Sequence, residues 1–307
     1  MNQEEIVRKE IRLIVRELGL LNHNCFNSDL TLAQAHILNY LKQNGTTPFN
    51  ELLMNLGMDK ASLSRIISNL EDKKYLASKR SEEDKRMKEL ILLPSGLAAI
   101  NEGDNKANAF INQILDQGDK KDIDSIVRAF RTFRILALKY NLKKNASRVL
   151  IEMITENYMN QAIHLATEVF NKEQGIPAES VPINHDLQPI WWCARVGEDL
   201  IGVVAAWQEK NQWHWGRFAV DKELRGMGIG QKLAIYALKE IFSQCTDKLY
   251  IDARDVTVNM LKKFGCTVIG QTEDFYGEAI TPIVLGKERF DHYLNQSCNM
   301  RRKNHVR

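Results

Sequence analysis

Phe218-Ala219-Val220-Asp221-Lys222-Glu223-Leu224-Arg225-Gly226-Met227-Gly228-Ile229-Gly230-Gln231-Lys232-Leu233 is the stretch that decides the second half of this chain. Phe218-Ala219-Val220 is an apolar run with strand character, and it ends at Asp221. Three glycines spaced by one residue follow Arg225, and then Leu233, Ile235, Ala237, Leu238 and Ile241 supply the apolar positions of a helix. Strand, glycine loop and helix together form an anion trap. Glycines let successive N–H groups converge on one point. A helix start adds unsatisfied donors and a partial positive charge. Arg225 would add a charge-assisted contact of about 1.5–3 kcal/mol. The plain alternative is a tight strand-to-helix turn. A nucleotide P-loop needs Gly-Lys-Ser/Thr at its end, whereas Gln231 and Lys232 follow Gly230. A dinucleotide fold needs repeated βαβ units, and the strands before this loop are closely spaced hairpins.

Arg225-x-x-Gly228-x-Gly230 resembles the pyrophosphate-binding signature of the GNAT acetyltransferases. The resemblance implies acetyl-CoA as acyl donor. Phe218, Ala219 and Val220 would bond the pantetheine arm, and Arg225, Gly226, Met227, Gly228, Ile229, Gly230 and Gln231 would grip the pyrophosphate. The Val220 N–H would polarise the thioester carbonyl. The order of elements agrees with that family over residues 150–287. A helix runs over 157–172, and an antiparallel meander follows over 191–196, 200–207 and 213–220. Beyond the loop come a strand over 248–253, a helix over 256–264 and strands over 266–270 and 282–285. Val169-Phe170-Asn171-Lys172-Glu173-Gln174 and Gly216-Arg217-Phe218-Ala219-Val220 are similar to an N-acetyltransferase branch of the family. One position departs from it. A tyrosine commonly stands four residues before the corner glycine, where it protonates the leaving thiolate, and here that residue is Leu261.

The chemistry needs a base. An amine of pKa about 10.4 costs roughly 4–5 kcal/mol to deprotonate at pH 7. Glu173 and His214 are the candidates, with Glu173 favoured by its family segment. Each also has a structural reading, Glu173 as a helix-end carboxylate and His214 as a packed ring between Trp213 and Trp215.

The first half reads differently. Val7, Ile11, Ile14 and Leu18 form a seam on a helix over 3–21, suited to packing on its own domain or to a subunit contact. Thr31 caps a helix over 32–43, and Thr47-Pro48 opens a short helix through Leu56. Gly57 turns the chain, and Asp59 caps a helix from Lys60 to about Tyr75. That is a helix-turn-helix. Leu63, Ile66, Ile67 and Leu70 lie on its inner face, while Ser62, Ser64 and Arg65 either suit base and phosphate contacts or form a plain solvated face. Strands at 76–80 and 89–93 then enclose a basic tip with Arg80, Lys85 and Arg86, a wing for an adjacent groove.

Ser62-x-Ser64-Arg65, Asp84-x-Arg86 and Leu92-Leu93-Pro94-Ser95-Gly96 resemble the MarR family of winged helix-turn-helix regulators over residues 3–140. The resemblance implies a homodimer built on the terminal helices, 3–21 and 119–140. It also implies a palindromic double-stranded DNA operator met by Thr47, Lys60, Ser62, Ser64, Arg65, Arg80, Lys85 and Arg86.

Composition agrees with two domains. The chain has 307 residues, 44% hydrophobic and 26% charged. Residues 1–145 carry net +4, residues 146–300 net −5, and the last seven residues +4. Cys25, Cys193, Cys245, Cys266 and Cys298 are odd in number and scattered, which argues for a reducing cytoplasm and against a zinc site or a disulfide framework. No apolar run is long enough for a membrane span, and the first residues carry no secretory pattern. The two resemblances together imply an α+β architecture in two domains. A mostly helical winged helix-turn-helix over 1–145 precedes a mixed α/β acyl-CoA-binding fold over 146–290 and a basic tail over 291–307. The expected function is a transcriptional regulator that also transfers an acetyl group to an amine. Two alternatives stay open: an acyl-CoA sensor with a weak or inactive transferase half, and a regulator switched by a small aromatic ligand.

Overall fold

The structure is a computed structural model describing residues 2–304 except 23, 27 and 83; for 298–304 only the backbone is described. The chain divides into two units, Met1–Tyr140 and Asn141–Arg307, five residues ahead of the boundary expected from sequence.

The first unit is mostly helical. Helix α1 (Gln3–Glu17) opens on a capping box in which Asn2 and Glu5 satisfy each other's backbone N–H groups. It stops short of the expected end, at a turn containing Gly19 with φ of 66°. Thr31 and Gln34 form a second capping box for α2 (Leu32–Asn44). Thr47–Pro48 does not begin a helix. It is a short strand, β1, with Thr47 opposite Leu90, and α3 (Phe49–Leu56) begins after it. Proline lacks a ladder donor, and β1 is the sheet edge where that lack is tolerated. Gly57, in the left-handed region, turns the chain into α4 (Lys60–Asp72), and the Asp59 carboxylate accepts from the Ser62 N–H at 2.9 Å. Strands β2 (Leu76–Arg80) and β3 (Lys88–Leu92) complete a sheet of order β1-β3-β2.

Helix α5 (Pro94–Leu115) then begins with Pro94 in its first turn, and α6 (Lys120–Lys144) follows. The Leu-x-Ser-Gly ending of the wing motif has a steric basis. A Cβ at Gly96 would collide with the Tyr75 carbonyl. The core joins Ile37, Leu38, Leu52, Leu63, Ile67 and Leu90. Helix α1 buries no side chain within the chain, and Ile6, Val7, Ile11 and Ile14 stay exposed. Helix α6 likewise exposes Ile126, Val127, Phe130 and Phe133.

The second unit is a sheet with helices on both faces. Its elements are β4 (Leu150–Met153), α7 (Glu156–Thr167), β5 (Ile190–Val196), β6 (Asp199–Glu209), β7 (Gln212–Val220), α8 (Ile229–Gln244), β8 (Lys248–Arg254), α9 (Asp255–Lys262), β9 (Thr267–Val268), β10 (Glu273–Phe275), β11 (Glu278–Gly286) and α10 (Lys287–Asn304). The expected tail from residue 291 is continuous with α10 as far as Asn304, and residues 305–307 lie outside the described residues. The strand order is β10-β11-β8-β7-β6-β5-β4, with β9 pairing to β11. All pairings are antiparallel except β7 with β8. Ala162 and Ala166 of α7 pack on Cys193, Val203, Ala205 and Ala219. Small residues let the helix approach this face closely. Among the described residues no helix is long and apolar enough to cross a membrane, and no cluster of His, Cys, Asp or Glu could hold a metal.

Candidate functional site

The site of the second unit is built where β7 leaves its neighbour. The parallel ladder between β7 and β8 contains a single pair, His214 opposite Tyr250. From there to Val220 the edge of β7 facing β8 has no strand partner. On its other edge β7 is bulged. Val203 pairs with Ala219 and Ala205 with Gly216, so one residue of β6, Val204, faces two of β7, Arg217 and Phe218. The extra residue is absorbed at Arg217, whose φ is 53°. A non-glycine residue resists that conformation, at a cost of about 1–2 kcal/mol. Two hydrogen bonds from its guanidinium, to the Val181 carbonyl at 2.6 Å and the Ser180 carbonyl at 3.1 Å, hold it there.

Past Val220 the chain makes a single turn, Lys222–Leu224, capped by the Asp221 side chain. Gly226 and Gly228 then take φ of 79° and 76°, and α8 begins at Ile229 with Gly228 as its cap. No side chain caps this helix start. Among the described residues, the N–H groups of Gly226, Met227, Gly228, Ile229, Gly230 and Gln231 donate to nothing in the protein. Gly230 is pressed by the strand beneath it: a Cβ there would lie 3.0 Å from the Phe218 ring and 3.3 Å from Val220. Phe218 and Val220 thus seat the helix start, while Ala219 is buried in the opposite face. Gln231 reaches away to the Tyr293 hydroxyl, at 3.1 Å.

Arg225 is engaged by the protein itself. Its guanidinium meets both oxygens of Glu173, at 2.7 and 3.1 Å, and its Nε donates to the Val220 carbonyl at 3.1 Å. Glu173 ends a π-helical turn, Glu168–Glu173, that continues α7. Such a turn re-aims the residues it carries. Of the two candidate bases, Glu173 therefore already serves a cation.

His214 lines a cavity of about 280 Å³ between the parted strands. It stacks on Trp207, its register partner on β6, at 5.7 Å between ring centroids, and lies 6.3 Å from the Tyr250 ring. Register partners share a face, so Trp207, His214 and Tyr250 form one row across three strands. Asp252 and Arg254 follow Tyr250 on the same face and line the same cavity. Phe218, Trp215 and Ile251 close it from behind. The Trp215 indole N–H is buried with no acceptor. Gly216 makes room for the row, since a Cβ there would come within 3.1 Å of Trp207.

Sequence reading missed Arg217, Tyr250, Asp252 and Arg254 as site residues. Arg217 had a signal, an arginine directly before the apolar run Phe218-Ala219-Val220 of its strand. Burial pushes its guanidinium pKa below the usual range. Tyr250, Asp252 and Arg254 alternate on β8, but only the single pairing with β7 makes that alternation meaningful. Leu261, at the usual tyrosine position, is fully buried in α9.

In the first unit the structure separates the expected DNA contacts. Lys60, Ser64 and Arg65 are exposed on α4, and Ser62 is half-buried in its first turn. Arg80, Lys85 and Arg86 are exposed on the wing, whose tip is held by Asp84 accepting from the Arg86 N–H at 2.9 Å. Thr47 is a correction. It is 1% exposed and its hydroxyl donates to the Gly45 carbonyl, so its side chain has no surface to offer.

Two family models match the chain. Residues 28–87 match the MarR family and residues 152–266 the acetyltransferase (GNAT) family, so a MarR region precedes a GNAT region. No curated protein matches. Among solved structures, Escherichia coli ElaA is 18% identical over 44% of this chain and 98% of its own, with a TM-score of 0.41. Bordetella bronchiseptica BpsR, whose DNA binding is regulated by 6-hydroxynicotinic acid, is 22% identical over 42% of this chain and 98% of its own, with a TM-score of 0.37. An acyl-CoA N-acyltransferase from Pseudomonas aeruginosa is 16% identical over 44% of this chain and 97% of its own, with a TM-score of 0.37.

Proposed function

We propose that the chain is a DNA-binding regulator whose second unit binds acetyl-CoA and passes the acetyl group to an amine. The observation that carries the second half is the unengaged row of N–H groups from Gly226 to Gln231. Unengaged donors at a helix start are a site for a diphosphate. The edge of β7 from Gly216 to Val220 offers backbone partners for an extended amide-bearing arm, in the manner of an added strand. The donor would supply an acyl carbon activated as a thioester. The protein's part is to hold it, exclude water and manage one proton.

His214 is the proton acceptor in this reading, because Glu173 is held by Arg225. Glu173 becomes a positioning residue that sets the arginine at the loop. The departing thiol has a pKa near 8.5, so it leaves without an acid at neutral pH, only more slowly. The test is a calorimetric titration with acetyl-CoA. Wild type binds, and Gly228→Glu, which places a side chain and a negative charge on the left-handed cap, does not. Equal binding by both would remove the loop from the account.

Buried Leu261 supports a second reading, in which the unit senses acyl-CoA without turnover and biases DNA affinity. A coupling of about 1–3 kcal/mol would be typical. Thiol release with a panel of amines separates the two, since steady turnover with any of them excludes a pure sensor. In the first unit, Lys60, Ser62, Ser64 and Arg65 on α4 and the wing residues Arg80, Lys85 and Arg86 would meet a palindromic operator. The exposed seams of α1 and α6 would join two copies of the chain.

A further inference from the structure

The cavity beside the parted strands has a chemistry of its own. Its floor is the row Trp207, His214 and Tyr250, three rings at neighbouring positions of β6, β7 and β8. Asp252 stands one step along β8 on the same face and lines the same space. Among the described residues no hydrogen bond or ion pair engages its carboxylate. The two arginines of the wall are committed. Arg217 holds two backbone carbonyls, and Arg254 meets Glu278 at 3.3 Å and the Gln174 carbonyl at 3.4 Å. Asp252 is thus the cavity's free charge, and it is negative.

We propose that the acyl acceptor is an arylalkylamine, a single ammonium on a flat aromatic body, with its ring against this row and its ammonium on Asp252. This rests on the acetyl-transfer reading above. Aromatic rings in a half-buried wall favour a flat apolar partner at offset or edge geometry. An ammonium gains a charge-assisted hydrogen bond from a carboxylate. The ends of the row also limit charge. Lys248 lies 5.1 Å from the Tyr250 ring and Arg217 5.6 Å from the Trp207 ring, so a second ammonium would meet protein cations. That disfavours polyamines. The mouth adds apolar surface, since Phe275 and Ile280 line the cavity and Phe275 is also exposed beside Tyr276. In the transfer, a C–N bond forms as the thioester C–S bond breaks with its electron pair on sulfur. The ammonium sheds two protons, of which one returns to the thiol and one reaches solvent.

The test is direct binding to the full chain saturated with coenzyme A. Calorimetry would compare 2-phenylethylamine, spermidine, an N-acetyl-lysine amide and 3-phenylpropionate, which keeps the ring and lacks the ammonium. The expected result is binding of 2-phenylethylamine at least tenfold tighter than the other three. Asp252→Asn, at an exposed position, weakens it tenfold or more while acetyl-CoA binding stays unchanged. Equal or tighter binding of spermidine or the lysine amide overturns the proposal, as does an unaltered Asp252→Asn. Absence of 2-phenylethylamine binding in protein that takes up acetyl-CoA overturns the acceptor class alone. Absence of acetyl-CoA binding overturns the transfer reading and this proposal with it.

Discussion

Glu173 and Arg225, 52 residues apart, meet as a two-point pair: both carboxylate oxygens face the guanidinium, at 2.7 and 3.1 Å. The pair links the end of the π-helical turn to the glycine loop. Its side chains are 46% and 30% exposed, so its direct contribution to stability is within ~1 kcal/mol. Its consequence lies in orientation. Glu173→Gln keeps the shape and removes the charge that fixes Arg225. The expected outcome is weaker acetyl-CoA binding by roughly tenfold, about 1.4 kcal/mol, with the acidic limb of the kcat profile kept. A collapse of kcat with that limb lost and acetyl-CoA affinity intact would return the base to Glu173.

Arg65 and Arg86 are both exposed, and their replacements should differ in kind. Arg65 lies on the outward face of α4, so Arg65→Ala should cost about 1–3 kcal/mol of specific binding. Arg86 sits at a wing tip held by Asp84, in position to meet phosphate. Arg86→Ala should weaken binding across sequences and lower the salt slope by about one unit. Fluorescence anisotropy at several salt concentrations measures both. Unaltered affinity in the two variants would remove α4 and the wing from the interface.

The seams of α1 and α6 set the next expectation. Isolated exposed apolar residues are ordinary, but Ile6, Val7, Ile11 and Ile14 line one helix, and Ile126, Val127, Phe130 and Phe133 another. Phe130→Asp places a charge in the α6 seam without touching the unit's core. Sedimentation should show a dimer for wild type and a monomer for the variant. Two sedimenting dimers would mean that these seams serve another purpose.

How much of this was legible depended on whether the signal was local. The glycine loop, the caps at Thr31 and Asp59 and the alternating strands are written within a few residues, and the two family regions follow from them. Thr47-Pro48 misled because proline at a helix start and proline on a sheet edge read alike, and only the pairing with Leu90 separates them. Helix α5 was hidden by polar residues such as Asn101, Asp104 and Asn105, which blur a period of 3.6. The cavity was hidden for another reason. Its row is assembled by register across β6, β7 and β8, and register is a long-range property.

Cys193 offers a probe of the sheet. It is buried on β5, and burial foremost, with Glu152 nearby, pushes its thiol pKa up to about 12. The native thiol stays protonated where an unfolded one, near 8.5, ionises. The unfolded state then binds fewer protons, so this group's contribution to stability is intact below about pH 8.5 and is lost as pH rises toward 12. Iodoacetamide at pH 8 followed by peptide mass spectrometry should leave Cys193 unmodified in the native protein and label it in denaturant. Rapid native labelling would place it outside the sheet.

Leu261 occupies the position where a tyrosine would be expected to act as an acid, yet its side chain is fully buried in α9, beside the turn where the Phe264 and Cys266 N–H groups bond its carbonyl. Restoring the tyrosine therefore adds bulk and a hydroxyl to a packed site. Overpacking costs about 1–3 kcal/mol, and an unpaired hydroxyl adds to it. Leu261→Tyr should lower the melting temperature by several degrees, at roughly 2–4 °C per kcal/mol for a unit of this size. It should leave thiol release no faster, because a buried phenol cannot serve a group in the cleft. A stable variant with faster release would show the helix turning that side chain toward the parted strands, and the missing acid would then be the reason for slow turnover.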